Sequence, residues 1–175
     1  MKSTVYLYRF NTLSDWEIGY VTAGINNPAF QVNPDRYQLR TFSIDGKPVR
    51  TLGGLQITPN LSLEEVNILD GEMLILPGGA SWNEGCNQEV ALLAKKFHEN
   101  QIKVAAICGA TLGLAKIGLL DSIRHTSNSK DYLLNSDYQG SEYYVDVLSA
   151  SDKGVITASG TAPLESIRRR DQTIT

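Results

Sequence analysis

The chain has 175 residues, of which 42% are hydrophobic and 20% charged, and its net charge is −3. That length suits one domain able to bury most of its apolar surface, and the composition excludes a disordered or fibrous chain. Basic residues are scattered apart from Arg168-Arg169-Arg170, so no broad electropositive face for nucleic acid is expected, and no apolar run approaches the ~18 residues of a membrane span.

Cys86 and Cys108 lie far apart, with no CxxC or histidine-ligand spacing, which argues against a metal site and for a reduced, cytoplasmic protein. No spacing implies an organic cofactor. The start of the chain, through Phe10, is too short for a signal-peptide core and lacks a small-residue cleavage site.

In chain order, residues 4–10 read as a first strand. Ser14-Asp15-Trp16-Glu17 offers an N-cap and early acidic residues for a helix that runs to about Asn26 and stops at Asn27-Pro28. Tyr37 to Ile44 alternates like a strand. Asp45-Gly46 is a hairpin signal, and Val49 to Ile57, broken by Gly53-Gly54, is expected to return antiparallel beside that strand. Glu72 to Leu76 is nearly continuous in apolar residues, as a strand covered on both faces requires, and it ends at Pro77-Gly78-Gly79. Asn87 to Asn100 carries Val90, Leu93, Ala94 and Phe97 at helical spacing; Ile102 to Ile107 is the next buried strand, and a helix follows from Gly109 to about Ile117. Strand, helix, strand, helix with short connections predicts an α/β fold with a mostly parallel sheet. Tyr143 to Leu148 and Gly154 to Ala158 are expected as later strands, split by a turn at Ser151-Asp152-Lys153.

Cys108 stands at the carboxyl end of the strand 102–107, the edge where parallel α/β sheets bind ligands. A nucleophile elbow needs small residues two positions either side, and Ala106 and Ala110 meet that need, with Gly109 between. The following helix would turn its N-terminal N–H groups toward the sulfur and favour the thiolate. The competing reading is a buried structural cysteine. For Gly78 and Gly79, likewise, oxyanion-binding amides compete with a plain chain reversal.

"VAAICGATLGLAKIGLLD" together with "LILPGG" resembles the ThiJ/PfpI superfamily. This is the class I glutamine amidotransferase-like group that includes deglycase-type and intracellular protease/amidase-like proteins. The resemblance implies one domain over 1–175 with a flavodoxin-like three-layer sandwich, and a C-terminal helix shortened after about residue 163. It implies that Cys108 is the reactive nucleophile and Glu17 its acidic partner, with Gly78, Gly79 and Gly109 supplying backbone N–H groups to an oxyanion. His125 is the candidate base, although relatives with a Cys–His dyad often carry the histidine where this chain has Gly109 or Ser127. Trp16, Trp82, Thr126 and Asn128 are candidate pocket residues, and Cys86 is a candidate resolving thiol. The usual His-x-Glu pair of true amidotransferases has no counterpart at Gly160-Thr161-Ala162-Pro163. The expected function is a cysteine-dependent hydrolase, amidase or glyoxalase-like lyase for a small carbonyl or amide, in a chain whose relatives are often homodimers. The alternative is a stress-response protein whose cysteine is oxidised without catalytic turnover.

Overall fold

The computed structural model describes residues 2–34 and 36–162. Strand β1 (Ser3–Tyr8) leads into helix α1 (Trp16–Asn26), followed by β2 (Tyr37–Ser43), β3 (Val49–Arg50), β4 (Gln56–Ile57) and β5 (Leu61–Ser62). Then come β6 (Gly71–Leu76), α2 (Gln88–Glu99), β7 (Lys103–Ile107), α3 (Gly109–Lys116), α4 (Lys130–Leu134), β8 (Ser149–Asp152) and β9 (Val155–Ala158). Seven strands form the central sheet in the order β5-β2-β1-β6-β7-β9-β8. Every neighbouring pair in it is parallel except β8–β9.

Burial explains why the central strands read as unbroken apolar runs. Met73, Leu74, Ile75 and Leu76 of β6 are all buried, because helices cover both faces of a parallel sheet. On one face Tyr6 meets Phe97 of α2 edge-on, with ring centroids 6.0 Å apart, and Tyr8 meets Trp82 at 6.4 Å. Val90, Ala91, Ala94 and Phe97 form the buried stripe of α2, at the spacing that places one helix face on a sheet. On α1 the buried residues Ile18, Val21 and Ile25 recur at the same period. The result is the expected three-layer α/β sandwich. No helix among the described residues is long and apolar enough to cross a membrane.

Three expectations are corrected. The stretch 49–57 does not return along β2; it folds on itself, with Val49 opposite Ile57 and a turn through Gly54 at φ +85°. Both edges of β2 are already taken, by β1 and β5, so no edge is left for it. The last hairpin is shifted: Lys153 (φ 46°) and Gly154 (φ 80°) make its turn, so β8 is Ser149–Asp152. The stretch 143–148 contributes only the bridge from Tyr144 to His125. The shortened helix expected after about residue 163 lies outside the described residues.

Candidate active site

Cys108 caps β7 and starts α3 with φ 55° and ψ −124°, a conformation that a non-glycine residue holds at a cost of about 1–3 kcal/mol. Its surroundings enforce that turn. The Cys108 N–H donates to Ala158 O at 2.9 Å, while Cys108 O accepts from Thr111 N at 3.1 Å and from Thr111 Oγ1 at 2.6 Å. Thr111 Oγ1 is in turn 2.7 Å from Ser127 Oγ. The sulfur itself is half-buried and accepts from Asn128 Nδ2 at 3.3 Å.

Glu17 sits in the first turn of α1 yet is only 5% exposed, so it is no ordinary helix-start glutamate. Its Oε2 accepts the Gly78 N–H at 2.5 Å, and its Oε1 is buried with no nitrogen or oxygen partner. The group beside this carboxyl is the Cys108 thiol: a Cβ on Gly78 or on Gly160 would meet both, and each acts on the other's pKa. Burial lifts the Glu17 pKa to about 7, against the lowering effect of the Gly78, Cys108 and Ser14 hydrogen bonds. Burial, and then the nearby Glu17 charge, raise the Cys108 thiol as well; the Asn128 and Gly109 hydrogen bonds pull the other way. The expected thiolate bias from α3 is therefore outweighed in the resting site by desolvation and a like charge.

The crowding explains two glycines. A Cβ on Gly78 would meet Cys108 Cβ at 2.6 Å and Glu17 Oε2 at 2.8 Å; one on Gly160 would meet Cys108 Sγ at 2.9 Å and Glu17 Oε1 at 3.3 Å. Because its amide is committed to Glu17, Gly78 is not a spare oxyanion donor. The Gly109 amide, at the start of α3, acts on the thiol and lowers its pKa.

His125 is not brought to the cysteine. It is fully buried, with Nδ1 2.6 Å from Ile123 O and Nε2 3.2 Å from Tyr138 Oη. Its backbone is fixed in the bridge to Tyr144, and its ring packs edge-on against Tyr138 and Tyr144. The ionisable group that acts most on the thiol is Glu17. Thr126 is also turned away: it is buried, with N–H on Thr157 Oγ1 and Oγ1 on Val147 O. Trp82 backs the elbow from inside the core, its indole donating to Pro77 O at 2.8 Å and fitting over Gly109 and Gly113. Trp16 and Asn128 do reach the site, and both hold Gly160: Trp16 Nε1 donates to Gly160 O at 3.1 Å, and Gly160 N donates to Asn128 Oδ1 at 2.9 Å. Cys86 is exposed, with Glu84 as its polar neighbour.

Sequence reasoning missed Gly160, Thr111, Ser127 and Tyr132. Gly160 joins only because β9 lies next to β7, an adjacency that no local pattern announces. Tyr132 donates to Asn83 Oδ1 at 2.6 Å, and its hydroxyl is pushed up to about 12 by burial and by the Cys108 and Glu17 charges.

The profile of the DJ-1/PfpI family matches residues 3–169. The Bacillus subtilis (strain 168) protein named uncharacterized protease YoaZ is 41% identical over 164 residues, which span 92% of this chain and 78% of that protein. From the same organism, the uncharacterized protease YdeA is 32% identical over 171 residues, 94% of this chain and 79% of its own length. Among solved structures, the ThiJ/PfpI family protein from Bacillus anthracis has a TM-score of 0.89 at 37% identity, covering 99% of this chain and 84% of its own. The DJ-1 superfamily protein Atu0886 from Agrobacterium tumefaciens has a TM-score of 0.90 at 28% identity, with 99% and 90% covered. A profile match over nearly the whole chain and a relative 41% identical over 92% of it agree with the elbow and the PGG turn: this chain belongs to the DJ-1/PfpI family.

Proposed function

We propose that the chain is a cysteine-dependent hydrolase or lyase acting on a small carbonyl or amide substrate, with Cys108 as nucleophile and Glu17 as proton carrier. The observation that carries this reading is the buried Glu17 carboxyl on the thiol, with a pKa of about 7. Passing the thiol proton to Glu17 leaves a thiolate beside a neutral acid, which avoids two adjacent negative charges, so the two groups titrate as a pair. The thiolate forms a bond to the electrophilic carbon, and the carbonyl π pair moves to oxygen, where the Gly79 and Gly109 N–H groups stabilise it. With an amide, the carbon–nitrogen bond then breaks and the Glu17 proton goes to the leaving nitrogen. Water, activated by Glu17, releases the thioester. With an aldehyde, the same proton goes to the oxygen and gives a thiohemiacetal.

The protease names of the relatives fit amide chemistry. The half-buried sulfur, hemmed in by Gly160 and Asn128, suits a small electrophile better than a folded polypeptide.

A second reading draws on the same neutral Glu17 and on the Asn128 Nδ2 donor. These groups also suit a cysteine that a peroxide oxidises, each step transferring one oxygen to sulfur and releasing water. One experiment separates the two. Turnover of small 2-oxoaldehydes, esters and amides is measured in the parent, Cys108→Ser and Glu17→Gln proteins, with intact mass after peroxide treatment. The enzyme reading expects turnover in the parent and a loss of at least a hundredfold in both variants. Turnover that survives Cys108→Ser overturns it. An inert parent that takes up two oxygens at Cys108 alone establishes the second reading instead.

A further inference from the structure

We infer that Arg9 forms a second site, one that binds an oxyanion: a carboxylate or a phosphate. Arg9 follows β1 directly, and its N–H donates to Phe42 O at 2.7 Å, continuing the β1–β2 ladder one step beyond the Tyr8–Phe42 pair. That places it beside Ser43 at the carboxyl edge of the sheet, where parallel α/β folds take their ligands. The residue is 7% exposed, yet its Nε and Nη1 are buried with no hydrogen-bond partner among the described residues.

Three of the five guanidinium N–H donors are thus out of water and unpaired. Among the described residues no carboxylate acts on its charge, and burial lowers its pKa to about 10. A guanidinium stays charged at any physiological pH, and an unpaired buried charge is among the most costly things a fold can hold. Neighbouring side chains do not relieve it. The buried Ser43 hydroxyl donates to Lys47 O, and Thr41 is engaged with Asn60. An oxyanion supplies what these donors lack: a full negative charge and several lone pairs that match a planar fork. Nη2, the guanidinium nitrogen outside the buried unpaired set, has no hydrogen-bond partner among the described residues either, so it is the nitrogen with access to water. The site is distinct from the thiol. In the strand order, β6 separates β1 from β7, so Arg9 and Cys108 stand on the same edge about 10 Å apart, at ~4.8 Å per strand.

The test is the melting temperature of the full chain in sodium phosphate or sodium acetate against sodium chloride at equal ionic strength, for the parent, Arg9→Met and Arg9→Gln. The expected result is a saturable rise in one or both oxyanions for the parent, with the half-saturating concentration at least tenfold higher, or the response lost, in both variants. The two salts show whether phosphate or carboxylate is preferred. No saturable, oxyanion-specific rise in the parent overturns the inference, and so does an equal rise in Arg9→Met. If neither neutral variant folds, Arg9→Lys keeps the charge without the fork. It is expected to need at least threefold more anion, and half-saturation equal to the parent's overturns the inference.

Discussion

Replacing Glu17 by Gln tests whether the carboxyl beside the thiol is held near neutrality by its burial. Glu17 rises from the ordinary 4.5 to about 7 because it is buried. An acid with a raised pKa in the fold loses its proton first in the unfolded chain. Its contribution is therefore fully present below pH 4.5 and is lost as the pH climbs toward 7, with the loss complete above that. At 1.36 kcal/mol per pH unit, the rise amounts to about 3 kcal/mol. Glutamine has nearly the same shape and can still accept the Gly78 N–H, but it does not titrate. The experiment is thermal unfolding of parent and Glu17→Gln proteins at pH 5, 6, 7 and 8. Subtracting the two curves cancels His125 and every surface group common to both. About 2.5 kcal/mol of this falls between pH 5 and 8, so at roughly 2–4 °C per kcal/mol for a chain of this size the parent should lose roughly 5–10 °C relative to the variant over that range. A difference that stays constant across that range, or a parent that gains on the variant as pH rises, would falsify the reasoning.

Two further predictions concern residues behind the site. His125→Ala should cost about 2–4 kcal/mol by leaving a cavity and stranding the Tyr138 hydroxyl. The pH profile of Cys108 alkylation, read by intact mass in a Cys86→Ser background, should not move in that variant, whereas a shift would restore His125 as the base. Gly113→Ala should destabilise by about 1–3 kcal/mol despite alanine's better helix propensity. The new Cβ would sit 2.3 Å from Trp82 Cζ3, and the indole, 2% exposed and tied to Pro77 O, has little room to move. Chemical denaturation checks the stability and Trp fluorescence the displacement; a variant as stable as the parent would show that the indole is less constrained than its packing suggests.

Much of the frame was legible in the chain because its signals are local. The apolar run at 72–76, the helical stripe from Val90 to Phe97 and the small residues around Cys108 are each consequences of one element's own geometry. One of the errors lies where a strand's partner had to be chosen. Asp45-Gly46 reads as a hairpin returning 49–57 along β2, but β1 and β5 hold both edges of β2, and 49–57 instead pairs with itself.

The candidate site divides along the same line. Sequence by itself determined that Cys108 would stand on a tight strand-to-helix turn, since only small residues at 106, 109 and 110 allow one. The tertiary structure decided what the thiol meets. Glu17 and Gly78 are 61 residues apart, and their hydrogen bond exists because β1 pairs with β6. Gly160 arrives because β9 pairs with β7. His125, named from its place in the chain, is instead held in the core by Tyr138 and Tyr144. Elbow geometry is a property of a few consecutive residues. The protonation of the groups on it depends on desolvation and on charges from distant strands, and those are settled only when the sheet is assembled.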